Sequence, residues 1–79
     1  MQSDEALTIA EQKMAEIWSK VLGFDVSDPN ANFMDLGGSS LLAAQVATKA
    51  SSQFGTKISV VDVIVALSLR EFVGEIERV

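Results

Sequence analysis

The residues of this 79-residue chain that could carry chemistry are two serines directly after two glycines, Gly37-Gly38-Ser39-Ser40. Glycines let the backbone turn tightly and keep bulk away from an approaching group. Ser39 suits the N-cap of a following helix, which leaves the Ser40 hydroxyl free to face solvent at the first helical position. The positive end of that helix, with its free N–H groups, would favour a phosphate ester on Ser40. Taken alone, the run is more often only a loop that ends in an ordinary helix cap.

The composition excludes several kinds of catalytic site. The chain contains no histidine and no cysteine, so it lacks the usual general base near neutral pH, a thiolate nucleophile, a disulfide framework and a zinc–thiolate site. A Ser-His-Asp triad is therefore impossible within it. No two carboxylates are paired in a recognisable site. If the chain takes part in catalysis, its reactive group must therefore be imported or a partner must do the chemistry.

The net charge of the chain and the length of its apolar segments exclude further classes of partner. Eleven acidic and six basic residues give a net charge of −5, which argues against a nucleic-acid partner because phosphate backbones bind clustered Lys and Arg. The apolar-rich stretch from Val60 to Leu69 is interrupted by Asp62 and Ser68 and is too short to span a bilayer. The acidic N-terminus does not resemble a secretory signal. We expect one domain over residues 1–79, monomeric and cytoplasmic, with no membrane partner.

Two long segments predict the helices on either side of the glycine–serine run. The first extends from about Thr8 to Leu22, where Thr8 and Glu11 have the form of a capping box and Gly23 follows as a C-terminal cap. The second begins at Ser39 or Ser40 and continues to Phe54. Apolar residues recur at helical spacing in both segments: Met14, Ile17, Trp18, Val21 and Leu22 in the first, and Leu42, Val46, Ala50 and Phe54 in the second, with Ala43 and Ala47 widening the stripe.

The connection between these helices, residues 23–38, is long for so small a domain. Five apolar residues are spaced through it and are expected to hold it on the core: Phe24, Val26, Phe33, Met34 and Leu36. Residues before Thr8 are expected to add a loose turn or to fray.

The C-terminal part predicts two more helices. The run Val60–Val65 is rich in β-branched residues, which favours a strand. No other segment of the chain is predicted to be a strand that could pair with it. A short helix is therefore predicted instead. Ser68 then opens the last helix, with Glu71 as its cap partner. The predicted fold class is all-α: a small four-helix bundle of three main helices and a short third one, with a long loop between the first two.

The loop-to-helix junction resembles the core motif of phosphopantetheine-dependent carrier proteins, most closely the peptidyl carrier (thiolation) domains of nonribosomal peptide synthetases. That motif reads roughly D-x-F-[FM]-x-L-G-G-x-S-[LI], and residues 32–41 read NFMDLGGSSL. The first helix is similar to the family pattern E-x-x-[LIM]-x-x-I-W-x-x-[VL]-L-G, through Glu11, Ile17, Trp18 and Val21-Leu22-Gly23. Ile58 to Phe72 matches the short third helix and the start of the fourth, so the resemblance covers nearly the whole chain.

The resemblance implies a role for each matched residue. Ser40 aligns with the serine to which a phosphopantetheinyl transferase joins 4'-phosphopantetheine from coenzyme A. The arm ends in a thiol that holds an aminoacyl, peptidyl or other acyl group as a thioester, so the resemblance implies a non-catalytic carrier that serves as substrate and shuttle for partner enzymes. Gly38, Ser39 and Leu41 would flank the arm. The implied partners are adenylation, condensation or thioesterase enzymes or domains.

The chain departs from the family pattern around the serine and in the third helix, where partners dock. Ser39 stands where peptidyl carriers usually have His or Asp, and Ala31 replaces a common acidic residue. Ser59 and Leu67 stand where Pro is frequent, and Ile64 where Phe is.

Partner docking is assigned to Leu41, Val61 and Val65. The two valines belong on the outer face of so short a helix and would form an exposed apolar patch near Ser40. The alternative is that one or both pack inward against the long loop.

Two other functions remain open. One is an acyl carrier protein of fatty-acid or polyketide synthesis, against which the double glycine and the Ile-Trp helix favour the peptidyl type. The other is a helical interaction module that carries no arm, in which Gly-Gly-Ser-Ser is only a cap.

Overall fold

Over residues 7–78, which are the residues the computed structural model describes, the chain consists of four helices without a strand. The elements are α1 (Ile9–Leu22), α2 (Ser40–Phe54), α3 (Val60–Val65) and α4 (Leu69–Arg78). The predicted all-α class is confirmed, including the short helix at the β-branched run. The turn or fraying expected before Thr8 falls mostly on residues 1–6, which lie outside the described residues.

Local hydrogen bonds set the ends of α1. The backbone N–H of Thr8 donates to Glu11 Oε1 (2.9 Å), and the N–H of Glu11 donates to Thr8 Oγ1 (3.1 Å). Gly23 adopts the left-handed conformation (φ 89°) and its N–H donates to the carbonyl of Ser19. Both predicted ends of this helix are therefore confirmed.

A second capping box explains why Val60–Val65 is a helix. The N–H of Ser59 donates to Asp62 Oδ2 (2.9 Å), and the N–H of Asp62 donates to Ser59 Oγ (3.2 Å). This reciprocal pair satisfies free donors at the start of α3. Sequence reasoning missed it and noted Ser59 only as a position where the family often has Pro.

The start of α4 is capped by Ser68 and by the long loop. The Ser68 hydroxyl accepts from the N–H of Glu71 (3.1 Å), which is the half of the predicted capping box that the structure shows. The N–H of Leu69 donates to the carbonyl of Ala31 (2.8 Å), and that of Arg70 to the carbonyl of Pro29 (3.0 Å). Loop carbonyls thus satisfy helix donors that would otherwise be unpaired.

The core is centred on three aromatic rings. Trp18 of α1 meets Phe33 of the long loop edge-to-face at 5.2 Å and stacks on Phe72 of α4 at 6.1 Å, measured between ring centroids. Trp18 and Phe33 are completely buried and Phe72 nearly so. Their packing joins α1, the loop and α4 into one unit.

The loop is held by fewer residues than the sequence predicts. Val26 and Phe33 are buried and Leu36 is partly buried, as expected. Phe24 and Met34 are exposed, so the prediction that they hold the loop on the core was wrong. A loop lacks the fixed side-chain period of a helix or strand, so spacing does not tell which of its apolar residues face inward.

An ion pair between residues far apart in the chain joins α1 to α4. The guanidinium of Arg70 donates to both carboxylate oxygens of Glu11, from Nε at 2.8 Å and from Nη2 at 3.1 Å. Glu11 is buried. Hydrogen bonding from Arg70 lowers the pKa of the Glu11 carboxyl although burial opposes the shift, and the Thr8 N–H assists. Glu11 is therefore a cap partner, as predicted, and also a link between two helices.

Candidate functional site

Ser40 is the first residue of α2 and its side chain is exposed. Ser39 precedes it in extended backbone (φ −141°), and its hydroxyl accepts from the N–H of Leu42 at 3.3 Å. The carbonyl of Ser39 accepts the first helical bond, from Ala43, at 2.8 Å. The prediction of Ser39 as N-cap and Ser40 as first helical residue is confirmed.

The two glycines are needed for different reasons. Gly37 has a φ of +100°, which L side chains rarely adopt. Gly38 has no such backbone constraint, but a Cβ built on it would lie 2.5 Å from Cδ2 and Cε2 of Phe33 and 2.7 Å from its carbonyl oxygen. The group that lies close to Gly38 is therefore the Phe33 side chain of the same chain. The sequence predicted that some group would approach the glycines closely, but it did not identify Phe33 as that group.

Phe33 also holds the backbone that leads to Ser40. Its carbonyl accepts from the N–H groups of Leu36 (3.2 Å) and Gly38 (3.1 Å). The neighbouring Asn32 accepts from the N–H of Asp35 at its side-chain oxygen (3.0 Å) and donates to the carbonyl of Leu67 (3.2 Å). Residues 32–38 therefore form a turned segment fixed to the core on one side and to the α3–α4 connection on the other.

The electrostatics at the start of α2 differ from those of the other described helices. Glu11, Asp62 and Glu71 place a carboxylate in the first turn of α1, α3 and α4, whereas the first turn of α2 contains none. Within residues 7–78, the N–H groups of Ser40 and Leu41 donate to no protein acceptor. The positive end of α2 is thus left for an external anion, and a phosphate ester on the exposed Ser40 hydroxyl fits it.

The three predicted docking residues all lie at the surface. Leu41, Val61 and Val65 expose 71%, 63% and 64% of their area, so the alternative that the valines pack inward is wrong. Val61 and Val65 stand one turn apart on α3, which packs against α2. Val65 also lines a groove towards α4, together with Leu67 and Phe72.

Phe33 and Asn32 position the site in ways that sequence reasoning did not predict. Both belong to the motif, but sequence reasoning assigned Phe33 only a role in holding the loop on the core and assigned Asn32 no role. One sequence feature could have predicted the contact between Phe33 and Gly38. A large aromatic residue stands five positions before a glycine in a loop, a spacing that is compatible with packing of the ring against the glycine backbone.

Comparison with known proteins identifies a family and related synthetases. Residues 12–76 match the model of the phosphopantetheine attachment site family. Phosphinothricin tripeptide synthetase PhsB of Streptomyces viridochromogenes is 42% identical over 53 residues, which is 67% of this chain and 4% of that protein. A phenolphthiocerol/phthiocerol polyketide synthase polypeptide of Mycobacterium tuberculosis is 46% identical over 43 residues, 54% of this chain and 3% of that protein. The chain therefore spans only a small part of these relatives.

A solved structure shares the whole architecture. The PaxA T1-CDD/PaxB NDD docking-domain complex of the Pax nonribosomal peptide synthetase superposes with a TM-score of 0.83 at 26% identity, covering 99% of this chain and 77% of that one. The helical bundle described above is therefore the same fold.

Proposed function

The chain belongs to the phosphopantetheine attachment site family, and we propose from that membership that Ser40 is the residue to which 4'-phosphopantetheine is joined as a phosphate ester. The chain is a carrier domain of the type that nonribosomal peptide and polyketide synthetases contain. Carriers of this family bind 4'-phosphopantetheine.

One observation carries the assignment to Ser40. Its hydroxyl is exposed at the positive end of a 15-residue helix whose first turn contains no carboxylate. The neighbouring Ser39 hydroxyl already accepts a helix N–H, so esterification of its oxygen with a phosphate would weaken the cap. Of the two serines, Ser40 is the one that can be modified without loss of a hydrogen bond that caps α2.

The chain's residues position the arm and do no chemistry on it. When attached, the group supplies the thiol that holds an aminoacyl, peptidyl or other acyl group as a thioester. The sequence contains no histidine, so a phosphopantetheinyl transferase has to supply the acid–base groups for attachment. Ser40 is accordingly an attachment point, and the domain serves as a non-catalytic substrate and shuttle.

The partners that we propose are adenylation, condensation and thioesterase domains, which would dock on Leu41, Val61 and Val65 beside the arm. The likeness to PhsB supports the peptidyl type, with an aminoacyl or peptidyl group as the cargo. The likeness to a polyketide synthase supports the second candidate, an acyl cargo of polyketide synthesis. The enzyme that loads the holo form distinguishes them: an amino-acid-adenylating enzyme for the first, an acyl-transferring enzyme for the second.

The test of Ser40 is incubation with coenzyme A and a broad-specificity phosphopantetheinyl transferase, followed by intact and peptide mass spectrometry. We expect one added phosphopantetheine on Ser40, lost in Ser40→Ala and kept in Ser39→Ala. Modification at Ser39 would overturn the site assignment. A folded chain that no transferase modifies would instead indicate the helical interaction module without an arm.

A further inference from the structure

An open groove with a volume of about 390 Å³ lies between α3, α4 and the loop before α3. Its floor contains the buried side chains of Ile58 and Phe72, and its edge carries Val65 and Leu67. Val65 and Leu67 are both largely exposed. Two large apolar side chains beside an apolar floor form a continuous patch, which monomeric proteins usually cover or use for binding.

The charged residues around this groove are mostly acidic. Asp62, Glu71 and Glu75 line it, and Lys57 is the single basic residue among the lining side chains. Glu71 and Glu75 are one helical turn apart on α4, an arrangement of like charges that weakly destabilises a helix. Within residues 7–78, the basic group that contacts Glu75 is the exposed guanidinium of Arg78, at 3.5 Å. An incoming positive charge would therefore be favourable at this edge.

We propose that this depression, the α3–α4 groove, is a docking site for an amphipathic helix of another protein that carries lysine or arginine beside its apolar face. A helix laid in a groove buries an apolar stripe and places flanking charges at the rim, which is the complement of an apolar floor with an acidic edge.

Two other occupants fit the groove less well. Within residues 7–78 no three carboxylates stand close enough to hold a metal ion, so the acidic edge does not form a cation site. A second copy of this chain docked through its own groove would bring another Glu71 and Glu75 to the same place, and for any orientation the net charge of −5 adds repulsion.

The groove shares Val65 with the proposed docking face, but Leu41 and Val61 do not line it. Ser40 does not line it either, so the proposal does not depend on modification of Ser40. A partner seated there would reach the docking face at Val65 and leave the start of α2 open.

The test uses a synthetic helical peptide with leucines at helical spacing flanked by lysines, together with the same peptide bearing glutamate in place of each lysine. Binding to the ¹⁵N-labelled full chain is followed by amide chemical shifts. We expect the lysine peptide to shift residues 57–58, 65–67 and 71–76, and the glutamate peptide to bind at least about fivefold more weakly.

Variants of the chain separate the apolar contribution to peptide binding from the electrostatic one. Leu67 is largely exposed, so we expect Leu67→Ser to leave folding unchanged and to weaken binding about tenfold. Glu71→Gln/Glu75→Gln should weaken it about fivefold and reduce its salt dependence. The matched control Glu16→Gln/Glu77→Gln removes the same charge outside the groove and should bind as the unaltered chain does, as should Ser40→Ala.

The proposal is overturned by equal binding of the two peptides, by shifts centred on Leu41 and Val61, or by no binding. Concentration-dependent dimerisation that Leu67→Ser abolishes would also overturn it, in favour of a second copy as occupant.

Discussion

The ring of Phe33 lies directly against the backbone of Gly38, so that a methyl group on Gly38 would stand 2.5 Å from two carbons of the ring. Real carbon–carbon contacts are not this short, and the ring cannot withdraw because Phe33 is completely buried against Trp18. This contact links the aromatic core to the backbone two residues before Ser40. The position of the proposed attachment serine is therefore set by core packing as well as by the helix cap.

Replacing Gly38 by alanine should destabilise the fold and disturb the start of α2. Overpacking of this kind costs about 1 to 3 kcal/mol, measurable as a lower midpoint in urea unfolding. The rate of phosphopantetheine transfer to Ser40 should fall as well. Gly74 is the matched control, because it lies within α4 with nothing within 4 Å of an added Cβ. Gly74→Ala should stabilise by about 0.5 to 1 kcal/mol, and equal effects of the two substitutions would contradict the Phe33 contact.

Ser39→Ala should lower stability without abolishing modification. The change removes the acceptor for the N–H of Leu42, which costs about 1 kcal/mol at an N-cap. Ser39→Asp keeps an acceptor there and should retain the stability of the unaltered chain, as thermal unfolding would show. Ser52→Ala, an exposed serine farther along α2, should change stability by less than about 0.5 kcal/mol. A loss as large as that of Ser39→Ala would indicate that the cap is not the cause.

The Glu11–Arg70 ion pair should make stability depend on acid pH. Because the pKa of Glu11 is lowered in the folded chain, its contribution is complete above the ordinary carboxyl pKa of the unfolded chain. It is lost as the pH falls through the lower folded value. The fall in the free energy of unfolding at acid pH is called the acid limb here. Glu11→Gln should flatten the acid limb, as urea unfolding at a series of pH values from neutral to strongly acidic would show.

Exposure of Arg70 to solvent limits how much the Glu11–Arg70 ion pair stabilises the fold. The Arg70 side chain remains 42% exposed while that of Glu11 is 5% exposed, so we expect Glu11→Gln to cost about 1 to 2 kcal/mol near neutral pH, less than for a fully buried pair. Glu16→Gln, on an exposed position of the same helix, should leave the acid limb unchanged. An unchanged limb in Glu11→Gln would show that other groups govern acid unfolding.

Aspartate at Leu41 or Val61 should impair transfer from the holo carrier while leaving the fold intact. Both side chains are largely exposed, so unfolding curves should shift by less than about 0.5 kcal/mol. A charge in the centre of an apolar docking face should slow acyl transfer with a partner enzyme by at least about tenfold. Ile9→Asp provides a control on α1, at a side chain that is 74% exposed. Unchanged transfer in both Leu41→Asp and Val61→Asp would reject the docking face.

Sequence reasoning succeeded where structure depends on neighbours in the chain. The ends of α1 follow from hydrogen bonds within a few residues of Thr8 and Gly23, and these depend on residue type alone. The same is true of Ser39 as the cap of α2. The short helix at Val60–Val65 required one further argument, namely that an isolated strand has no partner for its backbone groups.

The attachment motif was likewise visible in the chain, because its glycines, serines and flanking apolar residues are consecutive. Residue types at these positions sufficed to identify the family and to favour Ser40 over Ser39 as the attachment residue.

Only the tertiary structure decides which distant residues meet. Glu11 and Arg70 are separated by 59 positions, and no periodic pattern connects them. Phe24 and Met34 have the same apolar character as Phe33, yet of these three only Phe33 is buried, with its ring against Trp18 and the backbone of Gly38. Local hydrogen bonds are short-range and encoded by neighbouring residues, whereas burial, ion pairing and the shape of the α3–α4 groove arise only when the helices pack.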